Sequence, residues 1–176
     1  GRERTYGLPT FFDRAMQVLY GFSLSPVLET WGEAKSFAFR QGRSHLDAHA
    51  CILEALQGPD APKWAVIIDV EAYYSNIQRT WLMEHIPMDK KVLGEFLRAG
   101  HVFAGELFPE EETGISLGAS LSPMMANRVL DGLQGYIYSQ LYPGRPIPDY
   151  LNGSLSRFAD DIFLPVGNQE EAEKMI

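Results

Sequence analysis

The sequence predicts an α+β fold in which a few short strands run among longer helical segments. The stretch "KWAVIIDV" has the β-branched composition of a buried strand, and "SLSRF" and "IFLPV" are two further candidate strands separated by two aspartates. Apolar residues recur at helical spacing in "FFDRAMQVLYGFSLSPVLETW" and in "SPMMANRVLDGLQGYIYSQL". We therefore expect a small sheet together with several helices.

The other segments are assigned by their local signals. Ser44 and Asp47 form a predicted capping box at the start of a helix in "SHLDAHACILEALQG". The remaining predictions are helices in "AYYSNIQRTWLMEHI", "MDKKVLGEFLRAG" and "EEAEKMI", a hairpin in "HVFAGELFPEEETG", and extended or loop segments in "GRERTYGLPT", "FAFRQGR" and "YPGRPIPDYLNG". The last helix is only begun at the final residue, so we expect the chain to be truncated there.

Length and composition set the class of protein. A chain of 176 residues with 45% hydrophobic residues can bury a core, which excludes disorder. The single cysteine, Cys51, cannot form an internal disulfide or a cysteine-based zinc site, so a reducing, cytoplasmic interior is the expected compartment. The sequence has neither a run of about 18 apolar residues nor a signal peptide, and we expect no membrane partner.

The charge is negative overall but unevenly distributed. Fifteen basic residues against 23 acidic ones give a net charge of −8, which argues against a nucleic-acid binder because phosphates are neutralised by Lys and Arg. Much of the negative charge lies in "FPEEET" and "NQEEAE". Residues 1–45 contain six basic residues: Arg2, Arg4, Arg14, Lys35, Arg40 and Arg43.

The stretch "FADD" (158–161) places two adjacent aspartates between apolar segments. Burying an unpaired carboxylate costs several kcal/mol, so each aspartate needs water or a partner. A turn is one explanation, because aspartate is common in turns. A metal site is the other, and the four residues alone do not decide between them.

Asp69, at the end of the predicted strand "KWAVIID", is likewise either a turn residue or a ligand. If the strands are neighbours in one sheet, Asp69, Asp160 and Asp161 converge, and three carboxylates repel one another unless a cation intervenes. Mg²⁺ suits such a site, because it binds a few carboxylates together with phosphate oxygens and water. Two ions could hold an attacking hydroxyl and a leaving pyrophosphate, as phosphoryl transfer from a nucleotide requires.

Five blocks of the sequence resemble the reverse transcriptases of the group II intron class. "DVEAYYSNI" is similar to their first carboxylate motif, "TGISLGASLSPMMAN" to their glycine and Ser-Pro motif, and "RFADD" to their twin-aspartate motif. Two upstream blocks, "RTYGLPTFFDRAMQ" and "FAFRQGRSHLDA", resemble two further motifs. No single block is specific, but the five occur in the family's order across residues 4–161.

The resemblance implies the fingers and palm of a right-hand polymerase, with an antiparallel palm sheet packed on helices. Residues 1–60 would belong to the fingers and residues 61–176 to the palm, with the first fingers segments, the thumb and any maturase or nuclease domain outside the chain. The implied activity is RNA-directed DNA synthesis from dNTPs, with an RNA template, a DNA or RNA primer and intron RNA as partners. The implied cofactor is a pair of Mg²⁺ ions, for which Mn²⁺ could substitute.

The resemblance also implies roles for individual residues. Asp69 and Asp160 would bind the metals, with Asp161 in support and the Val70 carbonyl as a further ligand. Tyr73 would exclude a 2′-hydroxyl, with Tyr74 as the alternative gate. The residues implied to surround the nucleotide are Arg2, Arg4, Ala72, Tyr73, Tyr74, Leu117 and Gly118.

Three positions depart from the family pattern. Leu117 stands where the family has Gln before the central glycine, Glu71 replaces a basic residue, and Phe158 replaces the Tyr of the twin-aspartate motif. None of these changes removes a metal ligand. The first two alter the surroundings of the incoming nucleotide, and therefore leave fidelity and substrate preference open.

Two further pairs of residues, and the function itself, each allow more than one interpretation. Arg40 and Arg43 could pair with acids inside the fold or contact the template backbone. His45 and His49 have the spacing of a zinc pair, but no third ligand is near them in the sequence. A defence-associated or CRISPR-associated reverse transcriptase shares the same blocks, and a non-catalytic RNA-binding protein on this scaffold is the alternative outside the enzymes.

Overall fold

The computed structural model describes residues 7–59, 61–108, 113–146 and 154–175. In chain order, the elements are α1 (Phe11–Trp31), α2 (His45–Ala55), β1 (Trp64–Asp69), α3 (Tyr73–Asn76), α4 (Arg79–His85), α5 (Lys90–Arg98), β2 (His101–Phe103), β3 (Glu106–Phe108), α6 (Ser122–Val129), α7 (Leu133–Leu141), β4 (Ser156–Phe158), β5 (Asp161–Val166) and α8 (Gln169–Glu173). The predicted α+β class is confirmed. Within the described ranges, no helix has the length and apolar character needed to cross a membrane.

The chain divides into two compact units, and each unit combines two separate stretches of sequence. Unit 1 consists of Gly1–Trp31 and Ala72–Val129, and unit 2 of Gly32–Glu71 and Leu130–Ile176. The hairpin β2–β3 lies in unit 1, and the three-stranded sheet lies in unit 2. These two units do not correspond to the predicted division into fingers (residues 1–60) and palm (residues 61–176), and that division stays a prediction.

The sheet of unit 2 has the strand order β1-β5-β4, and both pairings are antiparallel. Strand β1 pairs with β5 along its whole length, from Trp64 opposite Val166 to Asp69 opposite Asp161. Alternate side chains point to one face, which packs on α7 and α8. The buried members of this core are Val66, Ile137, Tyr138, Leu155, Ile162, Leu164, Val166 and Ala172. The expected antiparallel sheet packed on helices is therefore present in unit 2.

The stretch "KWAVIIDV" forms a strand as predicted, but the prediction that it is buried is wrong. Of the six residues in β1, only Val66 is buried, and Ile67 is 72% exposed. The strand packs on helices through one face only, so its β-branched residues alternate between the core and the open face. A continuous apolar run does not reveal that alternation.

Helices α1 and α2 agree with the sequence prediction. Helix α1 runs through Pro26 without ending. At the start of α2, the Asp47 carboxylate accepts a hydrogen bond from the Ser44 backbone at 2.7 Å, and the Ser44 hydroxyl accepts one from the Asp47 backbone. The bonds from the Ser44 hydroxyl and backbone lower the pKa of Asp47. The predicted capping box is confirmed.

Two predicted helices are each divided into two. The first breaks between α3 and α4, where Ile77 and Gln78 have extended backbones. The second breaks between α6 and α7, where Gly132 has a φ of +91°. Apolar spacing continues across both breaks, so periodicity alone does not reveal them. Helix α6 begins at Ser122.

The break at Gly132 gives a test of stability with a matched control. Nothing lies within 4 Å of a Cβ added at Gly132 or Gly135, but only Gly132 has a positive φ. Gly132→Ala should lower the free energy of unfolding by about 1–2 kcal/mol, the cost of a left-handed backbone for a residue with a Cβ. Gly135→Ala, inside α7, should raise it by roughly 0.5–1 kcal/mol. Urea denaturation measures both changes, and stabilisation by both substitutions would mean that the helix is continuous.

Candidate active site

The two aspartates of "FADD" lie at the tight turn that joins β4 to β5. Phe158 pairs with Asp161, which leaves Ala159 and Asp160 as a two-residue loop. Ala159 has a φ of +57°, while Asp160 is not among the residues with positive φ, and this combination is that of a type II′ hairpin turn. The two aspartates therefore do lie at a turn, as the first explanation predicted. A metal site is compatible with this turn.

Ala159 occupies a backbone conformation that usually falls to glycine. A non-glycine residue at positive φ is uncommon, and such strain costs on the order of 1–3 kcal/mol. The pairing of the flanking strands holds this conformation. With Ala159 in this conformation, the half-buried Asp160 lies at the tip of the hairpin, and Asp161 is the first residue of β5.

Asp69 and Asp161 are direct cross-strand partners at the end of the β1–β5 ladder. Residues that face each other across an antiparallel pair point to the same side of the sheet, with Cβ atoms about 5 Å apart. Both aspartates are exposed, on the face that does not pack on α7 and α8. Like charges in this arrangement destabilise a sheet, so the pair favours a bound cation.

The carboxylate pair fits Mg²⁺ by ligand chemistry. Mg²⁺ commonly takes one or two protein carboxylates and completes its shell with water and phosphate oxygens. Among the residues that the structure describes, no group of three or more His, Cys, Asp or Glu side chains is arranged to hold a metal ion. The structure places Asp69 and Asp161 opposite each other, with Asp160 in the adjoining turn, but it does not arrange these three described carboxylates as one metal-binding group.

The residues after Asp69 turn sharply into α3. Val70 packs against the core of unit 2, and Ala72 has a left-handed backbone with a φ of +50°. Tyr73 is 8% exposed, and its hydroxyl donates to the Ala126 carbonyl at 2.5 Å. Tyr74 is half-buried, and its ring meets that of Tyr73 edge to face. The two neighbouring tyrosines thus differ in how accessible their side chains are.

A loop of unit 1 carries Leu117 and Gly118. The Leu117 carbonyl accepts a hydrogen bond from the Gly7 backbone at 2.9 Å. Gly118 has a φ of +97°, and an added Cβ would lie 2.3 Å from the Gly7 carbonyl oxygen, so only glycine fits. The Ile115 backbone donates to the Tyr74 carbonyl at 2.9 Å, which links the loop to α3. This loop and the two tyrosines are therefore parts of one packed arrangement in unit 1.

Of the four arginines predicted to contact substrates, Arg40 and Arg43 lie within the described residues. Arg40 donates to the Glu33 and Ser36 carbonyls, and Arg43 donates to the Ala34 and Ser36 carbonyls. Both side chains therefore hold the segment that precedes their own loop, and contact with a template stays a prediction. Arg2 and Arg4 lie outside the described residues.

Unit 2 contains a buried ion cluster that was not predicted from the sequence. Arg157, in β4, is fully buried, and its guanidinium lies 3.1 Å from an Asp131 oxygen and 3.7 Å from a Glu33 oxygen. The signal was an arginine within a predicted apolar strand, directly before the aspartate turn. Its acidic partners lie 26 and 124 residues away in the sequence and could not be identified from it.

Comparison with known proteins adds to this geometry. The whole chain, residues 1–176, matches the family described as reverse transcriptase (RNA-dependent DNA polymerase). Protein YkfC of Escherichia coli K12 is 27% identical over 170 residues, which cover 89% of this chain and 44% of that protein. The group II intron-encoded protein LtrA of Lactococcus lactis is 26% identical over 159 residues, which cover 84% of this chain and 26% of LtrA.

The fold has a counterpart among solved structures. A structure of apo telomerase from Candida tropicalis, truncated from its C-terminal domain, superposes with a TM-score of 0.51 at 13% identity, covering 92% of this chain and 35% of that one. The chain thus spans less than half the length of each of these proteins. On the match across its whole length, the chain belongs to the reverse transcriptase (RNA-dependent DNA polymerase) family.

Proposed function

We propose that the protein is an RNA-directed DNA polymerase of the group II intron type. The observation that carries this proposal is the cross-strand pair of Asp69 and Asp161, set beside the strained turn that holds Asp160, in a chain of the reverse transcriptase family. The substrates are dNTPs, a DNA or RNA primer and an RNA template. The relative LtrA, which is encoded by a group II intron, supports the intron type and intron RNA as a further partner.

The reaction transfers a nucleotide to the primer. The 3′-hydroxyl attacks the α-phosphate and pyrophosphate leaves, so no protein nucleophile is needed. When bound, two Mg²⁺ or Mn²⁺ ions would neutralise the charge that develops on the phosphate oxygens. Asp69, Asp160 and Asp161 would hold these ions, and the Val70 carbonyl is a further candidate ligand.

The chain's own contribution is a rigid frame for those oxygen ligands. The β1–β5 ladder fixes Asp69 against Asp161, and the two-residue turn leaves Asp160 little freedom. Ligands fixed in advance need no rearrangement during the reaction, which is how electrostatic catalysis gains its effect. The repulsion among the carboxylates is relieved when a cation binds.

The nucleotide sugar is proposed to meet Tyr74 rather than Tyr73. Tyr73 is buried and its hydroxyl is bonded to the Ala126 carbonyl, so this side chain supports α6. Tyr74 is half-buried, and its backbone is bonded to the loop of Leu117 and Gly118. A tyrosine ring beside the sugar would exclude a 2′-hydroxyl by contact.

The aspartates should act as one catalytic unit. In the full-length protein, Asp160→Asn should reduce Mg²⁺-dependent primer extension to less than about 1% of the wild-type rate, because a metal ligand is lost. Thermal stability should be unchanged or raised, since one of the repelling charges is removed. Single-turnover extension and a melting curve measure the two effects.

Asp89→Asn is the matched control for that substitution. Asp89 caps α5 by accepting a hydrogen bond from the Val92 backbone, and asparagine can make the same bond. This variant should extend primers at the wild-type rate. Substantial extension by Asp160→Asn would reject the catalytic assignment, and absence of extension in the wild type would favour a non-catalytic RNA-binding protein.

Substitutions of Tyr73 and Tyr74 should have different effects, one on stability and the other on the choice of nucleotide. Tyr74→Ala should lower the preference for dNTPs over rNTPs by at least about tenfold, because the ring no longer excludes the 2′-hydroxyl. Tyr73→Ala should instead lower the melting temperature, since a buried ring and its hydrogen bond are lost. Incorporation of the two nucleotide types by each variant measures the preference. A larger loss of preference in Tyr73→Ala would return the gate to Tyr73.

A further inference from the structure

Among the described residues, Arg157 is the largest fully buried side chain, and it lies in the strand that leads into the aspartate turn. Its guanidinium bonds to Asp131 at 3.1 Å and faces Glu33 at 3.7 Å. The side chains of these acids are 8% and 19% exposed, so the cluster is largely shielded from water. Interactions between charges are stronger in such surroundings than at the surface.

The segment from Glu33 to Phe37 holds Arg157 through its backbone as well. The Arg157 backbone donates to the Lys35 carbonyl, and the Phe37 backbone donates to the Arg157 carbonyl, both at 2.9 Å. Strand β5 pairs with the other edge of β4, where Arg157 is opposite Ile162. Arg157 is therefore fixed by both neighbouring segments and by its own side chain.

The acidic partners are themselves anchored. A Glu33 carboxylate oxygen accepts hydrogen bonds from the Gly132 and Gln134 backbones, at 3.0 and 3.3 Å, at the start of α7. The Glu33 backbone donates to the Asp131 carboxylate at 3.4 Å. The cluster thus links β4 to α7, the helix on which the sheet packs.

This position connects the cluster with the aspartates. Arg157 is followed by Phe158, whose partner across the ladder is Asp161, and by the turn that contains Asp160. A slip of β4 by one residue would turn every side chain of the strand to the opposite face and displace both aspartates. The contacts that hold Arg157 in place therefore also fix the register in which β4 pairs with β5.

Stability alone does not explain a buried ion cluster. Replacing such clusters by apolar residues of similar size is often neutral or stabilising, because burying the charges costs about as much as their attraction returns. A guanidinium does, however, impose direction, since its donors form a rigid planar fork. The cluster is suited to fixing one geometry.

We infer that Arg157 is a positioning residue for the aspartate hairpin, acting through Asp131 and Glu33. This inference rests on the proposed function. It adds that the metal ligands on β5 and its turn are held in place from β4, by residues that touch neither metal nor substrate. A substitution that weakens the contacts of the cluster should therefore raise the Mg²⁺ concentration needed for activity while the protein stays folded.

Arg157→Lys tests this in the full-length protein, because lysine keeps the charge but cannot bond in a fork. The Mg²⁺ concentration for half-maximal primer extension should rise about tenfold, with an unchanged KM for dNTP. Hydrogen exchange at the amides of residues 158–162 should be about tenfold faster than in the wild type. The amides of residues 101–108, in the β2–β3 hairpin of unit 1, serve as an internal reference and should not change.

Arg98→Lys is the matched control, because Arg98 is exposed and pairs with Glu95 at the surface. It should match the wild type in both measurements. If Arg157→Lys does not fold, Asp131→Asn removes one partner of the guanidinium and should change both measurements in the same direction.

Faster exchange at the hairpin together with a raised Mg²⁺ requirement supports the inference. Unchanged exchange in a folded variant overturns it, as does activity lost only in proportion to the unfolded fraction. If the wild type extends no primer, the proposed function fails, while the exchange comparison still decides whether Arg157 holds the hairpin.

Discussion

The antiparallel pairing of β1 with β5 is the constraint on which the candidate site depends. It places Asp69 opposite Asp161 and fixes which face of the sheet both side chains occupy. The same pairing sends Val66, Ile162 and Leu164 into the core against α7 and α8. Hydrophobic burial on one face thus holds two like charges together on the other. A shift of one residue would exchange the faces, so core and site cannot vary independently.

Unit 1 carries Tyr74, Leu117 and Gly118, which are proposed to surround the nucleotide, and backbone contacts fix the positions of these residues too. Gly118 is in contact with Gly7, and the loop is bonded to α3 through Ile115 and Tyr74. Gln17, buried in α1, accepts a hydrogen bond from the Ser120 backbone at 2.7 Å. Leu117 therefore lies in a loop that is held by hydrogen bonds on both sides of it. In both units, the side chains proposed for function lie in or next to short turns and loops with many backbone hydrogen bonds.

The sequence predicted what depends on local signals. The capping box of Ser44, the β2–β3 hairpin and the two strands around Asp160 are encoded by adjacent residues, and all are present. The exposure of Ile67, the break at Gly132 and the partners of Arg157 depend on residues far away in the chain, and were not predicted. Five ordered motifs indicated the family, whereas the net charge of −8 argued against nucleic acid. Net charge is an average, and it does not describe a local surface.

Metal binding tests the central claim most directly, that the β1–β5 register builds a divalent-cation site. Mn²⁺ titrated into the full-length protein in the presence of a dNTP can be followed by electron paramagnetic resonance, with Asp69→Asn and Asp89→Asn compared under the same conditions. The account predicts that the wild type and Asp89→Asn bind Mn²⁺ equally, and that Asp69→Asn binds at least about tenfold more weakly while remaining folded. Equal Mn²⁺ affinity in a folded Asp69→Asn variant would contradict it.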